Sequence, residues 1–104
     1  MTRKQYNESR EITSKGLGIT KNNYNWLRRK GQALHKIYED ACNGIVNYDG
    51  EYDRLTEPIE EQVNNYAKCL GLYVYYQTDP RGATIYIDKQ PIPDNNYTQA
   101  ECIF

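Results

Sequence analysis

The chain has 104 residues and a formal net charge of −1, a size at which one domain with a thin hydrophobic core is expected. Although charged residues make up 26% of the sequence, tyrosine occurs 11 times and supplies apolar area for a compact core. The sequence has no apolar run near the roughly 18 residues that a membrane span needs, and its N-terminus lacks the apolar segment of a secretory signal. We therefore expect a globular protein of a cytosol, without membrane contact.

The first predicted element is a helix that begins near Asn22. Apolar residues recur there at three- and four-residue spacing, which is typical of an amphipathic helix. Thr20 or Asn22 can cap its start, and the pair Asn43-Gly44 predicts its end because glycine adopts positive φ without a steric penalty. The polar residues before it predict a flexible basic N-terminal arm over residues 1–20, so that residues 21–104 form a single domain.

A loop rich in turn residues follows over residues 47–54. After it, Thr56 is expected to cap a second helix, and Pro58 lies in the predicted first turn, where a missing N–H has no cost. An apolar stripe continues to Leu70, and Gly71 is expected to end this helix.

Two runs of β-forming residues come next, LYVYYQT at residues 72–78 and ATIYID at residues 83–88. Side chains of different polarity alternate along both runs, which predicts an antiparallel β-hairpin. The C-terminal run TQAECIF can add a short third strand. The predicted architecture is an α+β domain in which two helices pack on one face of a small antiparallel sheet.

The predicted hairpin turn, DPRG at Asp79–Gly82, has a structural and a functional interpretation. Aspartate, proline and glycine all favour turns, so turn geometry accounts for three of its four residues. No turn rule requires Arg81, which is either a solvated or Asp-paired residue or a guanidinium presented to a phosphate or carboxylate. In the functional interpretation, Arg81 acts beside the strand residues Tyr75 and Tyr86.

Charge is segregated along the chain. Residues 1–36 carry nine Lys and Arg against two acids, a net +7, whereas residues 37–65 carry one Arg against eight acids, a net −7. In one interpretation, the basic arm and the cluster Arg28, Arg29 and Lys30 bind a polyanion such as a nucleic acid. In another, the arm folds over the acidic segment of the same chain. In a third, the carboxylates imitate a phosphate backbone. The aromatic residues that would stack on bases are Tyr6, Tyr24 and Trp26.

The three cysteines, Cys42, Cys69 and Cys102, are too few and too widely spaced for a disulfide framework, so reduced thiols are expected. A zinc site with His35 would need close ligand pairs that the sequence lacks, and no metal or other cofactor is predicted. His35 and Glu39 share one face of the first helix as a candidate acid/base pair. Because no nucleophile or second carboxylate joins them in the sequence, we predict that the protein is not an enzyme.

Two segments carry a family resemblance: RRKGQALHKIYEDACNG on the first helix and GLYVYYQTDPRGATIYI at the hairpin. Together they resemble a widespread group of small, uncharacterised proteins encoded by bacteriophages and prophages, over about residues 24–104. The DPRG turn matches that group, whereas its ECN-like helix end reads Ala41-Cys42-Asn43 here. The resemblance implies a phage setting, hence the cytoplasm of a host bacterium, and it implies no particular activity.

These observations favour a small, non-enzymatic phage accessory protein that binds a host or defence component. The alternative is a nucleic-acid or nucleotide-binding module that uses the basic arm and the first helix. The sequence does not determine the oligomeric state. The candidate binding residues are Arg81, Asp79, Tyr75, Tyr86, Arg28, Arg29 and Lys30.

Overall fold

The computed structural model describes residues 2–5, 16–79, 82–93, 97 and 100–103, with the side chain of Asp79 outside this set. Within these residues, two long helices pack on one face of a three-stranded antiparallel sheet, which confirms the predicted α+β fold. The elements are α1 (Lys21–Cys42), α2 (Glu51–Cys69), β1 (Tyr73–Asp79), β2 (Gly82–Asp88) and β3 (Glu101–Cys102). In space the strands follow the order β1-β2-β3, α1 packs on β2, and α2 packs on β1.

Helix α1 has the bounds that its sequence predicts. Its start is capped by Thr20, whose hydroxyl accepts a hydrogen bond from the Asn23 amide at 3.2 Å. Its end is capped by Asn43, and Gly44 follows with a φ of +76°. Between these ends, one stripe of the helix is buried against the sheet and α2. The stripe consists of Tyr24, Leu27, Gly31 and Leu34.

Helix α2 begins at Glu51, earlier than the predicted cap at Thr56, so that prediction was wrong. Gly50 precedes the helix with a φ of +95°, and Glu51 and Asp53 in the first turn complement the positive end of the helix dipole. Thr56 is buried, and its hydroxyl lies 3.4 Å from the carbonyl oxygen of Asp53, to which it donates. Pro58 therefore lies in the helix interior, where it has no N–H to donate to the preceding turn.

The sheet has the predicted hairpin and the predicted third strand. In the β1–β2 ladder, Val74 pairs with Ile87 and Tyr76 pairs with Ile85, which places alternate residues under the helices. The Ile103 amide donates to the carbonyl oxygen of Ile85 at 2.9 Å, which extends the pairing of β3 with β2. The buried core consists of Ile19, Tyr24, Leu27, Leu34, Val63, Ala67, Leu72, Ala83, Ile85, Ile87 and Ile103.

The predicted N-terminal arm is described only in part. Ile19 is 4% exposed and belongs to the core, so the last residues of this segment pack on the domain. Residues 6–15 lie outside the described residues, and the flexibility of the arm stays a prediction.

The hairpin tip contacts α1 through Gly82. This residue opens β2 with a φ of +131°, a value that side-chain-bearing residues rarely adopt. The space that a Cβ would occupy at Gly82 is filled by the imidazole ring of His35. Glycine is thus required here by backbone conformation and by contact, which confirms the positive φ expected from the DPRG turn. Pro80 and Arg81 lie outside the described residues.

We predict that Gly82→Ala destabilises the fold by about 2–4 kcal/mol, because positive-φ strain adds to overlap with the His35 ring. Gly71→Ala is the matched control, since Gly71 has a φ of +70° but open space around its Cα; it should cost only about 1 kcal/mol. Urea denaturation measures both losses. Adding His35→Ala to Gly82→Ala should recover part of the loss, and equal losses for the two glycine variants would contradict the contact.

Candidate binding surface

The outer face of the sheet, opposite the helices, brings together two of the predicted site residues. Tyr75 and Tyr86 are direct cross-strand partners in the β1–β2 ladder. Their ring centroids lie 6.5 Å apart at an interplanar angle of 52°. Such pairs stabilise a sheet through side-chain contact across the strands. Alternation therefore places both rings on the face that the helices leave uncovered.

A third ring, Tyr97, completes this group. It stacks on Tyr75 with centroids 5.2 Å apart and an interplanar angle of 8°, and it contacts Tyr86 at 4.9 Å and 55°. Sequence reasoning missed Tyr97, because this residue belongs to none of the predicted helices and strands. The available signal was one aromatic residue in a segment otherwise rich in proline, aspartate and asparagine.

The amide of Gln77 fixes the orientation of two of these rings. Its Nε2 atom donates to the Tyr97 hydroxyl at 2.6 Å, and the Tyr86 hydroxyl donates to its Oε1 atom at 3.2 Å. Each such neutral hydrogen bond contributes about 1 kcal/mol. We call Tyr75, Gln77, Tyr86 and Tyr97 the tyrosine cluster. All four are half-buried, so the cluster is a pre-oriented surface with part of each side chain accessible.

The surroundings of the tyrosine cluster are nearly uncharged. The ladder pairs Tyr73 with Asp88 and Gln77 with Thr84, and it places Cys102 beside Tyr86. Among the outward-facing strand positions whose side chains the structure describes, there is no Lys or Arg, and the only carboxylate is that of Asp88. A surface of rings, amide and hydroxyl groups suits another protein surface better than a row of phosphates, which needs cations.

The hairpin tip holds a second group of predicted residues. Asp79 pairs with Gly82 at the end of the ladder, but the Asp79 side chain and Arg81 lie outside the described residues, so the binding role expected of them stays a prediction. Against Gly82 lies His35, whose Nε2 atom is 2.9 Å from Oε1 of Glu39. The pair expected on one helix face is thus formed, and it lies beneath the turn. In the described part of the chain, no three His, Cys, Asp or Glu residues gather to hold a metal ion.

The predicted basic cluster lies in the other layer of the molecule. Arg28, Arg29 and Lys30 are consecutive in α1, so their side chains point about 100° apart around the helix axis. Arg29 is exposed and the other two are half-buried. The helix that carries these cations packs on the inner face of the sheet, whereas the tyrosine cluster lies on the outer face.

The aromatic residues near those cations are engaged within the protein. Tyr24 is 6% exposed, so the expectation that it stacks on bases was wrong: it is a core residue. Trp26 packs edge-on against Tyr66 with centroids 5.6 Å apart, and Lys30 Nζ lies 5.3 Å from the centroid of the Trp26 ring. Tyr6 lies outside the described residues.

The hydroxyl of the half-buried Tyr76 connects β1 to α2. The Tyr76 hydroxyl lies 2.8 Å from Oδ1 of Asn64, to which it donates, and 3.2 Å from the carbonyl oxygen of Glu60. Burial, with a smaller contribution from the Glu60 carboxylate, raises the pKa of Tyr76 well above its usual range. Burial also raises the pKa of Glu60, and the neighbouring carboxylates of Asp53 and Glu57 add to that increase.

Comparisons with known proteins identify no family for this chain. Protein-family models, curated proteins and solved structures all give no match. Among the helices of the described residues, none combines the length and the apolar character that crossing a bilayer requires.

We predict that Tyr76→Phe lowers the free energy of unfolding at neutral pH by about 1 kcal/mol, through the lost hydrogen bond to Asn64. The wild type should also lose stability as the pH rises above about 10, because unfolded chains then ionise this tyrosine while the folded protein keeps it neutral. The variant lacks that contribution, so the difference in free energy of unfolding between the two proteins becomes smaller at high pH. Urea denaturation from pH 7 to 11 measures this difference, with Tyr48→Phe as the exposed-ring control. A difference that is constant with pH would contradict the assignment.

Proposed function

We propose that this chain is a small, non-enzymatic binding protein whose contact surface for a protein partner is the tyrosine cluster. The observation that carries the proposal is the set of three mutually packed rings, oriented by Gln77, on the face that the helices leave uncovered. Tyrosine is enriched at protein interfaces because its ring buries apolar area while its hydroxyl keeps a hydrogen bond. Rings that are already oriented also lose little conformational entropy when a partner docks.

The proposed partner is a component of a bacterial host, including its antiviral defences, and the proposed setting is the host cytoplasm. The support for this setting is the resemblance of the first helix and the DPRG hairpin to phage-encoded and prophage-encoded proteins. Small size also fits, because a chain of 104 residues can act by occupying a partner's surface without carrying a reaction centre of its own.

We predict that Tyr75→Thr and Tyr86→Thr each weaken partner binding at least about tenfold, since buried tyrosines are frequent hot spots. Threonine keeps the β-propensity of each strand position. Wild-type protein first captures the partner from bacterial lysate, and calorimetry with the purified partner then measures each affinity. Tyr48→Thr, an exposed tyrosine in the segment between the helices, is the matched control and should bind as wild type does.

Two outcomes would contradict this assignment. One is a partner that binds both cluster variants as tightly as the wild type while circular dichroism shows that the variants are folded. The other is equal weakening by the cluster variants and by Tyr48→Thr. Arg81→Ala belongs in the same series, because a loss of binding without a loss of stability would support the functional interpretation of the DPRG turn.

The second candidate function is nucleic-acid binding, favoured by nine cations within residues 1–36. Phosphate contacts of this kind weaken steeply with added salt. For this function, we predict that the nucleic-acid affinity measured by gel shift falls at least about tenfold between 50 and 200 mM salt. Replacing Arg28, Arg29 and Lys30 with glutamine should make this affinity less dependent on salt. Absence of any shift with single-stranded and double-stranded DNA and RNA at low salt would remove this candidate.

A further inference from the structure

The two edges of the sheet differ in length. The β3 edge comprises two residues, Glu101–Cys102, whereas β1 runs for seven residues and pairs on one side with β2. A long strand at a sheet edge presents a row of unpaired backbone groups to any chain that can pair with it. The edge formed by β1 is therefore the stronger candidate for an intermolecular contact.

The hydrogen-bond pattern identifies which groups of β1 face this edge. The carbonyl oxygen of Ile85 accepts from Ile103, so the backbone groups of Ile85 point toward β3. In an antiparallel ladder the direction alternates along a strand, so Tyr86 and Thr84 point toward β1, where they meet Tyr75 and Gln77. The intervening residues Val74, Tyr76 and Thr78 must then direct their N–H and C=O groups away from β2. Within the described residues, the structure gives these backbone groups no hydrogen bond.

Several features that usually prevent pairing are missing from the described residues of the β1 edge. Natural edge strands carry lysine, proline or a bulge, or they are very short. The ladder of β1 with β2 runs without a bulge, β1 contains no proline, and its one charged residue is Asp79 at the end of the strand. The exposed side chains Leu70 and Tyr73, with 43% and 47% of their surface accessible, lie at the start of the strand. Apolar surface thus accompanies the open backbone groups.

We infer that β1 is a self-association edge that pairs antiparallel with the β1 strand of a second copy of this chain. A two-fold axis perpendicular to the sheet sets Tyr76 opposite its own copy and Val74 opposite Thr78, and about six backbone hydrogen bonds form across the contact. Because Tyr73–Thr78 is uncharged, this register brings no like charges together. The second copy is the occupant that this symmetry favours, since the same row of groups complements itself. The result is a six-stranded sheet.

The inference does not depend on the proposed protein partner, and the chain alone tests it. At high concentration we expect a species of twice 12.2 kDa in sedimentation equilibrium, which dissociates on dilution. Amide exchange gives an internal control within one strand. The amides of Val74, Tyr76 and Thr78 should become protected as concentration rises, whereas those of Tyr73 and Gln77 bond to β2 and should be protected throughout. A monomer at every concentration, or protection of the three edge amides that does not change with concentration, would overturn the inference.

Two variants at one position separate the backbone donor from the side chain. Thr78→Pro removes an edge N–H without touching the β1–β2 ladder, and proline is tolerated where a strand N–H faces outward. It should weaken dimerisation at least tenfold. Thr78→Val loses the same hydroxyl but keeps the N–H, and it should dimerise as the wild type does. A folded Thr78→Pro protein that dimerises normally would overturn the inference; if that variant does not fold, the amide-exchange result for the wild type decides.

Discussion

The burial of β2 beneath α1 is the contact on which the rest of the molecule depends. Ile85 and Ile87 are fully buried there with Leu27, and β2 is also the strand through which β1 and β3 are joined. Because side chains alternate along a strand, burial of these isoleucines forces Thr84 and Tyr86 onto the opposite face. The uncovered face of the sheet is thus a direct consequence of how the helices cover the other one.

Tyrosine makes such an uncovered face stable in water. A ring at Tyr86 can bury apolar area against Tyr75 and Tyr97 while its hydroxyl remains hydrogen-bonded to Gln77. On the inner face of the sheet, the ring of Tyr76 packs on the core and its hydroxyl bonds to α2. Tyrosine therefore suits both faces of one strand.

Periodicity predicted the parts of the fold that depend on one strong local rule. The cap at Thr20, the glycine after α1 and the alternation of β1 and β2 all lie where the sequence places them. The start of α2 was misplaced because a hydroxyl that donates to a carbonyl three residues earlier, as in Thr56, has the sequence appearance of a cap. The roles of Tyr24 and Tyr97 were missed for another reason. Which tyrosine is buried and which lies on the sheet depends on contacts between distant segments, and local pattern does not contain them.

The end of the hairpin at Gly82 and the open edge of β1 depend on different residues. The start of β2 lies against α1, because the His35 ring fills the space beside Gly82 and bonds to Glu39 within the same helix. The edge consists of the backbone N–H and C=O groups of Val74, Tyr76 and Thr78 that point away from β2. The tyrosine cluster points perpendicular to that edge, so pairing of two copies would leave both clusters accessible and on the same side of one sheet. Two linked clusters raise the effective concentration of the second contact once the first has formed. A partner that itself presents two copies of its binding surface would therefore bind the dimer more tightly than the monomer, without any additional contact in either cluster.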